Sequence, residues 1–366
     1  MTAAARTRLA FAAAGTALLV GCSDAESTPR GEATYAAAPS TSSSAGAKDL
    51  RLENPQTIAT GIEVPWGLAF LPDGSALVSE RESGDILRIP AGGGDPTTAY
   101  HVDGVSAEGE GGLLGIAVDP GYDENKYVYA YFTAAGDNRI VRFDGDRKAK
   151  VILDGIDKAG IHNGGRLAFG PDGFLYVGTG DAGDGRAAQD RDDLNGKILR
   201  ITRDGAAAPG NPTEGSPVWS LGHRNVQGLA WGADKKMYGI EFGQNTWDEV
   251  NVIEPGRNYG WPEVEGKAGD TRYEDPIVQW STDEASPSGA AVAGDNLYVA
   301  GLRGERLWVV PLNGGGEPRA ELGGTYGRLR TVAVEKDGSL WVTTSNRDGR
   351  GDPQDGDDRI LRFPAA

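Results

Sequence analysis

Six short apolar runs that share one residue limit what this chain can fold into. They are G-L-A-F at 67–70, G-I-A-V at 115–118, R-L-A-F at 166–169, G-L-A-W at 228–231, G-A-A-V at 289–292 and T-V-A-V at 331–334. The third residue is always alanine: Ala69, Ala117, Ala168, Ala230, Ala291 and Ala333. After each run comes a turn, usually of the D-G type (Asp73-Gly74, Asp172-Gly173, Asp337-Gly338), and then two more strand-like stretches. For the first run these are 76–80 and 85–89; for the later ones 127–132 and 139–143, 174–178 and 197–201, 237–241 and 249–253, 297–300 and 306–310, and 339–343 and 359–363. Alternating apolar residues between such turns read as antiparallel hairpins.

Six matched units at roughly 40–60-residue spacing predict an all-β, six-bladed β-propeller of four-stranded antiparallel blades. Further extended pieces at 98–102, 149–153, 276–280 and 319–322 are candidate outer strands. The stretch 56–62 has no apolar run before it and is predicted to supply the outer strand of the last blade. That would close the ring and remove an exposed edge. The shared alanine suggests crowding near the axis. A pair of β-sandwiches would explain short strands and D-G turns but not six matched triplets. No strong helical periodicity is present; 186–194 is the longest candidate helix, or a loop.

The first 50 residues read differently. Arg6 and Arg8 precede an apolar, alanine-rich stretch at 9–20, and L-V-G-C at 19–22 resembles a lipobox. About a dozen apolar residues fall short of the ~20 needed to span a membrane. The expectation is a lipoprotein signal at 1–21, lipidation at Cys22, a flexible Ala/Ser/Thr-rich tether at 22–50 and one propeller at 51–366, held at the outer face of the cell membrane only by its lipid anchor. The alternative is an ordinary cleaved signal with an incidental cysteine. Cys22 is the only cysteine, so no intrachain disulfide forms.

The net charge of −17 makes nucleic acid an unsuitable partner. A local basic pocket is still possible. Trp66, Glu110, His162, Arg224, Asn225, Ser288, Arg328 and Arg330 lie just upstream of the runs. In a ring of equivalent strands they gather at one end of the axis. A histidine there suits general base chemistry, and converging arginines call for a ligand with several carboxylates or phosphates. Paired with acids of neighbouring blades, single arginines would instead be structural. Asp248, Glu249 and Asn251 with the segment 258–262, and the acid-rich loops 180–193 and 346–358, have oxygen-rich composition that suits calcium but lack EF-hand spacing; such loops are usually solvated. There is no G-x-S-x-G nucleophile element.

The motifs P-W-G-L-A-F-L-P-D-G, H-N-G-G-R-L-A-F-G-P-D-G, L-G-H-R-N-V-Q-G-L-A, D-E-V-N-V-I-E-P-G-R-N-Y-G-W-P and G-R-L-R-T-V-A-V resemble the soluble quinoprotein glucose dehydrogenase and aldose sugar dehydrogenase family across 56–363. The resemblance implies a six-bladed propeller that uses pyrroloquinoline quinone (PQQ) and Ca2+. It further implies oxidation of the C1 hydroxyl of an aldose sugar to a lactone, with electrons leaving to an external acceptor. Under it, His162 is the catalytic base. Glu110, Arg224, Asn225, Leu302, Arg303, Arg328, Leu329 and Arg330 contact PQQ. Gly243 and Gln244 bind the calcium beside PQQ, and Glu249 and Tyr259 form a second calcium site. Three positions depart from the family pattern. Glu110 stands in place of glutamine and opposes an anionic cofactor unless protonated, paired or turned away. Arg303 replaces lysine. Ile161 replaces aspartate, which leaves the base without that carboxylate orienter. A non-catalytic propeller binding glycans or protein, and a calcium-dependent lactonase, are the alternatives.

Overall fold

The computed structural model describes residues 50–145, 148–314 and 316–365. The expected signal, Cys22 and all of the tether but its last residue lie outside them. The described residues form six four-stranded antiparallel sheets. In the first blade Pro65–Phe70, Ala76–Glu80, Asp85–Ile89 and Thr97–His101 run from axis to rim. The sixth blade begins at the axis with Leu329–Val334, Leu340–Thr344 and Arg359–Phe363. Its outer strand is Gln56–Thr60, so the start of the propeller closes its end as predicted. The six apolar runs are the six innermost strands, and each packs beside the next around the axis.

One core lies between each pair of neighbouring blades. The seam between last and first blades holds Trp341, fully buried, with its ring edge-on to Phe70 at 4.9 Å. Burying such a ring contributes about 1.5–3 kcal/mol or more. The repeated alanines pack within these cores. The closest backbone approach falls two residues earlier. A Cβ built at Gly67 would lie 2.9 Å from Ile116 N, and one at Gly289 would lie 2.7 Å from Thr331 Cα. Glycine lets adjacent inner strands touch there. The third and sixth blades carry Arg166 and Thr331 at that register.

The expected third blade lacked an outer strand. The structure supplies Val218–Leu221, which the sequence does not reveal because V-W-S-L is short and joins its neighbour through a bulge. The candidate helix at 186–194 is one turn, Gly185–Gln189, with the Asp184 side chain accepting from Arg186 N.

Candidate active site

In an antiparallel blade the start of the inner strand pairs with the end of the second strand. Val226 thus faces Glu241, Leu329 faces Thr344 and Arg166 faces Gly178. One face of the ring therefore collects two sets of residues. The first set opens or precedes the inner strands: Trp66, at the start of its strand, and Glu110, His162, Arg224 and Arg328, ahead of theirs. The second follows the second strands: Arg81, Asp181, Phe242, Leu302 and Asp348. Only the first set is announced by the apolar runs.

His162 is buried, and its φ of +55° is a left-handed conformation uncommon for any residue but glycine. Its Nδ1 lies 2.7 Å from Asp181 Oδ1, and its Nε2 lies 2.6 Å from Arg224 Nη2. A guanidinium only donates, so Nε2 is the acceptor and Nδ1–H donates to Asp181. The tautomer is thereby fixed with its lone pair on Nε2. Burial pushes the Asp181 carboxyl up. Hydrogen bonds from His162, Gly183 N and the Trp261 indole outweigh it and hold the carboxyl below the usual carboxylate range. The missing orienter at Ile161 is thus replaced by Asp181, from the loop after the second strand. Ile161 itself is 45% exposed.

Arg224 is fixed along its length. Nε and Nη2 donate to Gln244 Oε1 at 2.9 and 2.6 Å, and Nη1 donates to Phe242 O at 3.0 Å. Its backbone N–H donates to Glu241, whose other oxygen faces His223 Nδ1 at 2.9 Å. Burial presses the Arg224 pKa down.

A cavity of about 410 Å³ opens on the axis. Trp66, Phe242, Leu302 and Gln227 line it with five arginines, Arg81, Arg303, Arg328, Arg330 and Arg350, against two carboxylates, Glu110 and Asp348. In a chain of net charge −17 this is a reversal of sign. Arg328 Nε and Nη2 donate to Asp348 Oδ2 at 3.0 and 2.8 Å, while Arg330 Nη2 stands 3.6 Å from the same oxygen. Burial first, then Arg81 and Arg328, push the Arg330 pKa down to about 9, with Asp348 partly opposing. The Nε atoms of Arg81 and Arg330 are buried without a hydrogen-bond partner among the described residues. Unpaired buried donors on two of the arginines that line the cavity suit a polyanion.

The remaining predicted residues divide. Glu110 is paired: Oε2 accepts from His162 N at 3.0 Å and Oε1 from Arg350 at 3.2 Å. Arg303 is exposed and meets Asp283 at 2.5 Å. Asn225 is fully buried; its Oδ1 accepts from Gly164 N, and its Nδ2 has no partner among the described residues. Its side chain shapes the His162 loop and does not line the cavity. The Leu329 side chain sits in the core between the fifth and sixth blades, so only its backbone can serve a ligand. Gly243 N donates to Asp248, and Gln244 N donates to Glu265 at 2.5 Å.

Glu249 sits directly across the strand pair from Glu241. Burial and that neighbour raise its pKa, an arrangement a cation would relieve. The Tyr259 hydroxyl donates to Val252 O and accepts from Glu254 N, so the phenol is turned away from this spot and only its backbone carbonyl is left to offer. Among the described residues no three acidic, histidine or cysteine side chains form a metal cluster. The acid-rich loops are partly solvated, with Asp184, Asp190, Asp192, Asp352 and Asp355 exposed, but their buried carboxylates are already committed within the chain. Asp181 serves His162, Asp348 serves Arg328, and Asp357 and Asp358 bind Asn346.

Residues 62–361 match the family described as Glucose / Sorbosone dehydrogenase. The chain belongs to the glucose/sorbosone dehydrogenase family. This family member is 56% identical to the PQQ-bound aldose sugar dehydrogenase of Streptomyces coelicolor, with a TM-score of 0.82 over 84% of this chain and 96% of that one. It is 28% identical to aldose sugar dehydrogenase YliI of Escherichia coli over 81% of this chain and 91% of that protein. Quinoprotein glucose dehydrogenase B of Acinetobacter calcoaceticus is 32% identical over 60% of this chain and 54% of its own length. Membership makes the chain an oxidoreductase of the sugar dehydrogenase class.

Proposed function

We propose that this glucose/sorbosone dehydrogenase family member oxidises the C1 hydroxyl of an aldose to the lactone, with PQQ and Ca2+ bound at the axial cavity. The observation that carries the reading is the fixed tautomer of His162, which does not itself line the cavity but is joined through Glu110 to one richer in guanidinium than in carboxylate. His162 Nε2 accepts the proton of the anomeric hydroxyl, and Asp181 steadies the imidazolium that forms. Arg224 first yields Nε2 to the substrate while staying tethered to Gln244 and Phe242 O. When bound, PQQ would supply a quinone able to accept a hydride from C1 and to pass both electrons to an external acceptor. Arg328, Arg330 and Arg303 would hold its carboxylates, Arg224 would steady negative charge on it, and Leu302 would supply an apolar contact. The Gly243 and Gln244 carbonyls would hold calcium beside the cofactor. Glu249, with Glu241 and the Tyr259 carbonyl, would hold a second ion.

A lactone hydrolase needs carboxylates converging on its metal, the reverse of this cavity. A non-catalytic surface module gives no account of the Asp181–His162–Arg224 chain. Export and lipidation at Cys22 complete the proposal and put the enzyme at the outer face of the cell membrane. The test is dye reduction by apo-protein with mixed aldoses, with and without PQQ and calcium. Turnover that needs both additions supports the reading; none with both present overturns it.

A further inference from the structure

Arg166 stands where four of the six inner strands have glycine, at the register of closest backbone approach. Its side chain cannot stay in that gap and crosses the axis. Nε donates to Gln227 O in the fourth blade at 2.6 Å, and Nη2 donates to Thr331 Oγ1 in the sixth at 3.2 Å. The guanidinium carbon lies 4.3 Å from the Trp66 ring centroid in the first blade. Thr331 Oγ1 donates onward to Trp66 O at 2.6 Å. This one buried side chain thus ties four blades together beneath the cavity.

No carboxylate among the described residues pairs with it. The layer above uses the same supports. Arg330 Nη1 donates to Gln227 Oε1 at 3.0 Å, and its guanidinium lies 5.8 Å from the same Trp66 ring. Arg166 does not line the cavity, whereas Trp66, Gln227 and Arg330 do. A cation buried without a counterion is costly unless something nearby repays it. Burial and Arg330 together push the Arg166 pKa down to about 9, which shows how poorly the site alone compensates the charge.

Resting on the PQQ reading above, we propose that Arg166 is a positioning residue that acts on the bound cofactor without touching it. It fixes Trp66, Gln227 and Arg330 as the cavity floor. Its unpaired charge raises the affinity for the anionic cofactor and favours the more negative reduced form. The cofactor is in turn the counterion that Arg166 lacks.

Charge and packing are separable by substitution. Arg166→Lys keeps the charge and loses the fork. Arg166→Met keeps the reach and loses the charge, and Arg166→Gln serves as a second neutral variant should the first not fold. Each full-length variant is titrated with PQQ at saturating calcium, following tryptophan fluorescence. The potential of the bound quinone and the melting temperature of the apo-protein are measured alongside. The expected result is that the neutral variants lose about tenfold in affinity and bind a cofactor of lower potential. The lysine variant should stay within about twofold of wild type in both, although it melts lower than wild type. Loss of affinity in the lysine variant equal to that in the neutral ones, in step with melting, would overturn the proposal in favour of packing alone. So would wild-type affinity and potential in the neutral variants. Failure of the wild-type protein itself to bind PQQ would instead overturn the cofactor reading, and this inference with it.

Discussion

Asp181 Oδ1 lies 2.7 Å from His162 Nδ1, and the two come from different ends of one hairpin. The carboxylate is held ionised by three donors, so it is ready to steady a positive imidazole. Asp181→Asn keeps the shape and removes the charge. It can also turn the imidazole to the wrong tautomer. We expect kcat to fall about 10²–10⁴-fold with PQQ affinity within a few-fold of wild type. Steady-state kinetics and a PQQ titration check this. Unchanged kcat would remove Asp181 from the mechanism.

Cofactor affinity should depend on pH through Arg330 and Arg166 together. Burial, with Arg81 and Arg328, lowers the Arg330 pKa to about 9, and burial with Arg330 does the same for Arg166. A base with a lowered pKa carries its charge below that value and loses it above. PQQ affinity is therefore full at neutral pH and declines as pH rises through about 9. Equilibrium titrations from pH 7 to 10 read this directly, and a flat affinity across that window would contradict it.

The ring is closed by Trp341 against Phe70, with the indole N–H donating to Glu335 at 2.9 Å. Trp341→Ala leaves a cavity at the seam between last and first blades. We expect a loss of about 3–5 kcal/mol in urea unfolding. A loss below about 1 kcal/mol would mean that the seam relies on other contacts.

Cys22 carries the anchoring proposal. In cells, Cys22→Ser should move the protein from the detergent-extracted membrane fraction to the aqueous one. Dehydrogenase activity per molecule should stay the same. Membrane association that survives the substitution would dispose of the lipid anchor.

The fold was legible because six copies of one pattern are hard to satisfy otherwise. The inner strands and the closing role of the N-terminal strand could be read from the runs alone. Val218–Leu221 could not, since nothing in V-W-S-L separates a bulged edge strand from a loop. At the site, His162, Arg224, Arg328 and Arg330 were visible because each directly precedes an apolar run. Asp181 and Asp348 were hidden in loops whose acidity looks like solvated surface. They reach the axis because antiparallel pairing folds each second strand back to the same rim. That rule marks residues just past every second strand as candidates, and it would have found Arg81, Asp181 and Asp348. The family motifs point to Asn225 and Leu329 as cofactor contacts. Burial in the His162 loop and in a blade core explains why their side chains do not line the cavity.

The most direct test is single-turnover reduction of bound PQQ by an aldose, followed at the quinone absorption in wild-type and His162→Gln proteins loaded with calcium. The expected result is comparable cofactor affinity in both, with reduction slowed about 10²–10⁴-fold in the variant. Reduction of the cofactor at the wild-type rate in His162→Gln would contradict the assignment of the base and the reading of the cavity built around it.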